Sequence, residues 1–169
     1  MQEKEMQVAI FIGSASDKDK MWPCSEIFQE LGLSFRFTVA SAHRTPERTE
    51  ALIREMEASG CQVFICAAGM AAHLAGAVAA RTLKPVLGVP LDASMQGWDA
   101  LLSTVQMPPG FPVGTMAVGK AGAKNAAWQA AQILALQDKD LEGRLQQARS
   151  KMRTAVEEAA QELEQEMRG

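Results

Sequence analysis

The sequence predicts an α/β fold, with a parallel sheet covered by helices on both faces. Three observations carry that expectation. Short apolar, β-rich runs alternate with helical stretches through residue 137; the connections between them are short; and glycine, or a Thr-Pro start, punctuates the boundaries. The strongest of these runs are continuously apolar rather than alternating, as strands buried on both faces must be.

Residues 7 to 12 (QVAIFI) form the first such run, stopped by Gly13. The loop Gly13-Ser14-Ala15-Ser16-Asp17 leads into a helical stretch near 18 to 31, ended by Gly32. Residues 34 to 40 (SFRFTVA) read as a second strand. At Thr45-Pro46-Glu47 the chain carries a helix start, with a Thr cap, Pro at the first helical position and an acid in the first turn; this helix runs to about Ser59. A third strand near 61 to 67 leads through Ala68-Gly69-Met70 into an Ala-rich helix expected over 71 to 82, and a fourth strand follows at 85 to 89. A short helix near 97 to 104, a Pro/Gly-rich loop from Met107 to Pro112, a fifth strand near 113 to 118 and a helix over 122 to 137 complete the alternation.

From Asp138 onward, Leu141, Leu145, Ala148, Met152, Val156, Ala159, Leu163 and Met167 recur at spacings of three and four, which specifies one amphipathic helix to about 167. Its apolar stripe can pack on its own domain or be covered in part by a neighbouring subunit. A chain of 169 residues with 47% apolar content has the size of one domain, 1–169, with an α/β core over about 7–137 and the tail helix after it.

Charge and composition narrow the function. A net charge of −3 argues against general affinity for nucleic-acid backbone, which needs clustered Lys and Arg. The three cysteines, Cys24, Cys61 and Cys66, lack the spacing of zinc or redox motifs and read as reduced, buried residues of a cytoplasmic protein. No apolar stretch is long enough to span a bilayer, and the N-terminus resembles no targeting peptide. Neither a membrane nor a metal is expected as a partner.

In parallel sheets of this kind ligands bind beyond the carboxyl ends of the strands. The first three ends hold both histidines of the molecule. Gly13 to Asp17 suits a phosphate: the glycine permits a close turn, Ser14 and Ser16 supply donors, and the next helix offers free N–H groups. Asp17 repels phosphate, so it is either a partner for a sugar hydroxyl or a plain helix cap. At the second end, Ser41-Ala42-His43-Arg44 places an imidazole beside a guanidinium. Arg44 can clamp a phosphate bidentately, and His43 is the natural general acid/base, because imidazole ordinarily titrates near neutral pH. The third end, Ala67 to Gly76, is almost all small residues around His73, which suits either close approach to a flat ligand or simple helix-on-sheet packing.

One phosphate-loop pattern is a decoy. Gly114 to Lys120 matches G-x-x-x-x-G-K, but Ala121 stands where the magnesium-binding hydroxyl belongs and the intervening residues are an apolar strand. With no Tyr and three Trp, a stacked flavin has little support. A phospho-acceptor receiver would need an Asp where this chain has Cys66-Ala67-Ala68.

The motifs GSASD at 13–17, SAHRTP at 41–46, AAHL at 71–74, LLSTVQMPPGFPVGT at 101–115 and GKAGAKNAA at 119–127 together resemble the N5-carboxyaminoimidazole ribonucleotide mutases of purine biosynthesis, over Val8 to about Leu136. The resemblance implies a flavodoxin-like, three-layer parallel sheet with a long C-terminal helix, a cytoplasmic homo-octamer, and an isomerase that needs no cofactor. It implies that Ser14, Ser16 and Arg44 hold the substrate phosphate, that Asp17 meets the ribose, and that His43 and His73 are the catalytic residues, His43 as the acid/base and His73 lining the same pocket. It counts Gly13, Ser41, Ala42 and Leu74 with the substrate-binding set; in the mechanism that fits these residues, Ala68, Gly69, Met70 and Ala71 form the pocket that retains CO2. The chain departs from the usual pattern at Met70, where the family has Gly, at Ala75, where it has Pro, and at Lys18, where it has Trp. A related class carboxylates the unmodified aminoimidazole ribonucleotide with CO2; its members typically lack the AAHL histidine and carry Lys for the Arg of HRT, whereas this chain has His73 and Arg44. A non-catalytic flavodoxin-like binding module is the alternative from another class.

Overall fold

In the described residues, 6–168, of the computed structural model, five strands form one sheet in the order β2-β1-β3-β4-β5, with every neighbouring pair parallel. Strands β1 (Val8–Ile12), β3 (Val63–Gly69) and β4 (Val86–Leu91) occupy the middle, and β1 and β4 are buried along their whole lengths. That is why their sequences are continuously apolar. The edge strand β2 (Phe35–Val39) carries Arg36 and Thr38 among its apolar residues and is partly exposed. Strand β5 (Gly114–Thr115) has two residues, shorter than the run expected over 113 to 118. Beyond it the backbone bonds only singly to β4, from Met116 N to Gly88 O and from Gly119 N to Pro90 O.

Helices lie on both sides of the sheet, and α1 (Lys18–Glu30), α2 (Pro46–Ala58), α3 (Leu74–Ala79), α4 (Trp98–Val105) and α5 (Lys120–Ala135) connect or follow the strands. Side chains alternate across a strand, so one face of β1 and β3 presents Ala9, Phe11, Phe64 and Cys66. These pack with Leu52, Ile53 and Met56 of α2 and with Leu74, Ala75 and Val78 of α3. The Phe11 and Phe64 rings sit 5.7 Å apart in a tilted arrangement that aromatic pairs favour. Where α5 begins, a Cβ on Gly122 would stand 1.7 Å from the Ala117 carbonyl oxygen; only glycine lets the chain pass there. All three cysteines are buried and unpaired, and burial pushes the Cys61 thiol up to about 11.

The chain divides into two compact units, one through Ala130 and one from Ala131. The second contains the end of α5 and the 28-residue helix α6 (Lys139–Glu166), whose N-terminus is capped by the Asp138 carboxylate accepting from Leu141 N at 2.9 Å. No helix among the described residues is long and apolar enough to cross a membrane.

Two local expectations change. Helix α3 starts at Leu74, not 71. Met70 adopts a left-handed conformation, φ +56°, and the chain bends tightly through 71–73 before helical hydrogen bonding begins. Thr45 does occupy the position before α2, with Pro46 and Glu47 following, but its hydroxyl donates back to the Ser41 carbonyl at 3.3 Å instead of capping the helix.

Candidate active site

Strand order reverses between β1 and β3, and the loops beyond their carboxyl ends diverge there to leave a crevice. The loop after β2 closes it. The result is a cleft of about 520 Å³. All fourteen residues singled out from the sequence line it: Gly13, Ser14, Ser16 and Asp17 from the first loop; Ser41, Ala42, His43 and Arg44 from the second; and Ala68, Gly69, Met70, Ala71, His73 and Leu74 from the third. Sequence reasoning missed Ala93, just past β4, although the rule that points to strand ends covers that position too.

Each loop is ordered by its own short hydrogen bonds. The Ser14 backbone N–H donates to the Asp17 carboxylate at 3.1 Å, and the Ser14 hydroxyl accepts from Ser16 N and from the Ser16 hydroxyl. Asp17 thus closes this turn as the acidic member of a capping box whose cap is Ser14; it makes no side-chain cap bond to α1, so the plain helix-cap reading does not describe it, and its side chain lines the cleft. Burial raises the Asp17 carboxyl above its ordinary 3.8, and the Ser14 N–H and the Lys20 ammonium pull it part of the way back.

Arg44 ties the second loop to the first. Its Nε and backbone N–H both donate to the Ser41 hydroxyl, at 3.4 and 3.2 Å, and its Nη2 donates to the Gly13 carbonyl at 3.2 Å. The guanidinium is thus held over the serine loop with donors to spare, in the geometry an anion there would need.

His43 and His73 reach the cleft from opposite loops and meet. His43 Nε2 lies 2.8 Å from His73 Nδ1, with the rings edge to face. That contact leaves His43 Nδ1 and His73 Nε2 outside it. An imidazole positioned by a second imidazole, a guanidinium and two hydroxyls make up a site for moving protons on a small anionic ligand.

The third loop approaches its neighbour closely. A Cβ on Gly69 would come within 2.5 Å of the Ala93 methyl, so the Gly69 backbone and Ala93 form one tight wall. Lys20 braces this wall from α1: its ammonium donates to the Asp92 carbonyl at 2.9 Å and pairs with the Asp92 carboxylate at 2.8 Å. The lysine holds that carboxyl below its ordinary range.

A larger groove, about 1170 Å³, runs between Ala79–Leu87 and Gly110–Gly114. Its acid, Glu57, accepts a hydrogen bond from Thr82, and it contains no histidine. Volume favours that groove, but the convergence of acid/base and anion-binding groups favours the smaller cleft.

Known proteins resemble this chain in sequence and in fold. The family model for AIR carboxylase matches residues 7–155. The N5-carboxyaminoimidazole ribonucleotide mutase of Escherichia coli (strain K12) is 54% identical over 140 residues, covering 82% of this chain and 83% of that protein. The enzyme of the same name from Pyrococcus horikoshii is 41% identical over 166 residues, covering 98% of this chain and 93% of that protein. The crystal structure of Treponema denticola PurE superposes with a TM-score of 0.84 at 26% identity, covering 93% of this chain and 98% of that one. With a matching sheet, a matching family model over most of its length and close relatives of one name, the chain belongs to the AIR carboxylase family.

Proposed function

We propose that this protein is a mutase of de novo purine biosynthesis, converting N5-carboxyaminoimidazole ribonucleotide to 4-carboxy-5-aminoimidazole ribonucleotide. Relatives bearing that name are 41–54% identical over most of the chain. The single observation that carries the mechanism is the His43–His73 contact in a cleft that Arg44, Ser14 and Ser16 also line.

The reaction moves a carboxylate from the exocyclic nitrogen to ring carbon C4. His43 donates a proton to the carbamate nitrogen, the C–N bond breaks and CO2 leaves. The electron-rich C4 then attacks CO2, forming the C–C bond, and His43 removes the C4 proton. The histidine ends as it began, as general acid–base catalysis requires, and no redox or metal chemistry is called for. His73 holds the His43 ring and its tautomer through the ring-to-ring hydrogen bond. Arg44, Ser14 and Ser16 take the phosphate, and Asp17 takes a ribose hydroxyl. Gly13, Ser41, Ala42 and Leu74 shape the floor, while Ala68, Gly69, Met70 and Ala71 keep CO2 beside C4. Fixing phosphate and ribose aligns the ring with His43 before reaction, so little orientational freedom is left to lose in the transition state. The family resemblance further implies a cytoplasmic homo-octamer.

An ultraviolet assay with N5-carboxyaminoimidazole ribonucleotide, run beside aminoimidazole ribonucleotide plus bicarbonate, tests the proposal. Prompt conversion of the carbamate alone is expected. Conversion of the unmodified substrate alone would make the protein a direct carboxylase, and activity with neither would leave a binding module.

A further inference from the structure

The chain leaves β4 by a sharp turn. The Ala93 N–H donates to the Leu91 carbonyl two residues back at 3.0 Å, and three successive residues then take left-handed angles, Met95 at φ +43°, Gln96 at +54° and Gly97 at +82°. Side chains other than glycine rarely adopt such angles, so a segment of this kind needs support from outside itself. Among the described residues, the polar contacts that reach 92–96 from outside 91–98 come from one side chain, Lys20 of α1. Its ammonium donates to the Asp92 carbonyl at 2.9 Å and pairs with the Asp92 carboxylate at 2.8 Å.

The sheet order gives this contact its reach. Strand β3 lies between β1 and β4, so a bond from the helix that follows β1 to the loop that follows β4 joins the ends of the two strands flanking β3. Gly69 is the last residue of β3, and a Cβ there would stand 2.5 Å from the Ala93 methyl and 3.3 Å from the Leu91 carbonyl oxygen. Ala93 is the residue after Asp92, and both it and Gly69 line the cleft. An ion pair as exposed as this one, 32% and 55% for the two side chains, adds little to folding stability. A bond to a main-chain carbonyl does something else: it fixes where the chain runs. The same ammonium follows Asp17 by three residues and draws that carboxyl down against burial, so one cation acts on two sides of the cleft.

We propose that Lys20 is a positioning residue for CO2: it holds Asp92 so that Ala93 stays packed against Gly69 and the wall beside the reacting carbon stays shut. The inference rests on the mutase reading above. Once His43 has protonated the carbamate nitrogen, the C–N bonding pair stays with nitrogen and CO2 is free until C4 attacks it. Attack by C4 gives the carboxylated product; escape to solvent gives aminoimidazole ribonucleotide. CO2 is small and uncharged, so enclosure holds it where a charged group cannot. Lys20 is not among the residues lining the cleft, and its effect falls on the partition between the two fates.

The test compares full-length wild type, Lys20→Met and Lys20→Arg on N5-carboxyaminoimidazole ribonucleotide. Methionine keeps the stem without a donor, and arginine keeps the charge with donors for both Asp92 oxygens. The readout is the ratio of aminoimidazole ribonucleotide to carboxylated product, corrected for carbamate lost without protein. Lys20→Met should raise that ratio about ten-fold, less than the roughly 100-fold that a misplacement of about 1 Å can cost, and Lys20→Arg should stay within about two-fold of wild type. An unchanged ratio in Lys20→Met, whatever its rate, marks a merely structural lysine and overturns the proposal; equal leakage from both variants also overturns it. Hydrogen exchange over 91–97 on the same proteins needs no turnover: Lys20→Met should speed it about ten-fold and arginine should restore it. Exchange as slow as in wild type sinks the proposal. A wild type that leaves the carbamate untouched removes the mutase reading and the CO2 role with it, while exchange still decides whether Lys20 holds the wall.

Discussion

His43 Nε2 and His73 Nδ1 face each other at 2.8 Å, so one nitrogen of the pair must donate and the other accept. The two rings can share a proton across this contact, but they cannot both be doubly protonated without setting two donors nose to nose. A single extra proton is what the proposed carboxylate shift needs, first given to nitrogen and then recovered from C4.

Replacing His43 with Asn removes the acid/base while leaving a polar side chain of similar reach. Turnover is expected to fall roughly 100- to 10,000-fold, the usual worth of a positioned proton-transfer group. Ligand affinity, read by isothermal titration, should change little. Lost affinity with normal turnover at saturation would assign His43 to binding instead. His73→Asn should cost about 100-fold or less, since it frees the His43 ring without removing it.

Arg44→Ala should act in the opposite sense. It removes a guanidinium that already spans Gly13 O and the Ser41 hydroxyl, so the expected loss is binding, about 1.5–3 kcal/mol or roughly 10- to 150-fold in KM, with kcat nearly kept. Arg44→Lys should recover only part of the affinity, because a point charge cannot make the forked contact. A large fall in kcat at unchanged KM would place Arg44 on the reacting carboxylate, away from the phosphate.

Asp17 carries the pH dependence. Its folded carboxyl is raised above 3.8, chiefly by burial, so the fold favours the protonated form. The stability this favours is present below the ordinary carboxylate range and is lost as pH climbs through the raised value. Asp17→Asn keeps an acceptor for the Ser14 N–H and stays neutral throughout. The melting temperature of the variant minus that of wild type is therefore expected to increase between about pH 3.5 and about pH 7, the span over which a raised carboxylate titrates. A difference that shrinks with pH would mean that Ser14 and Lys20 outweigh burial.

The fold was legible in the sequence because the central strands are buried on both faces and so are apolar without interruption, as in Val8–Ile12 and Val86–Leu91. The cleft was legible because its residues cluster at three strand ends, each marked by hydroxyl, histidine or glycine. What escaped depends on geometry that no spacing encodes. Ala93 lines the site only because Gly69 lets it approach, and an alanine carries no chemical signature. The hydroxyl of Thr45 chose Ser41 O over the helix it precedes. The late start of α3 follows from one backbone angle at Met70, a residue that ordinarily favours helix.

Met70 is where this chain can be improved and its close neighbour cannot. A side chain at φ +56° costs about 1–2 kcal/mol relative to ordinary backbone, and the exposed Met70 side chain recovers little of that by packing. Met70→Gly removes the strain, and the extra freedom of glycine in the unfolded chain takes back about 0.5–1 kcal/mol. The variant should gain roughly 0.5–1 kcal/mol, a rise of about 1–4 °C in Tm for a chain of this size. Gly69→Ala should do the reverse: a methyl 2.5 Å from Ala93 must push that wall away, costing about 1–3 kcal/mol. Because Ala93 and Gly69 both line the cleft, its turnover should fall with its stability. Calorimetry and the carbamate assay on both variants separate the cases. A Met70→Gly protein that melts earlier than wild type would mean that the methionine side chain makes contacts worth more than its backbone strain.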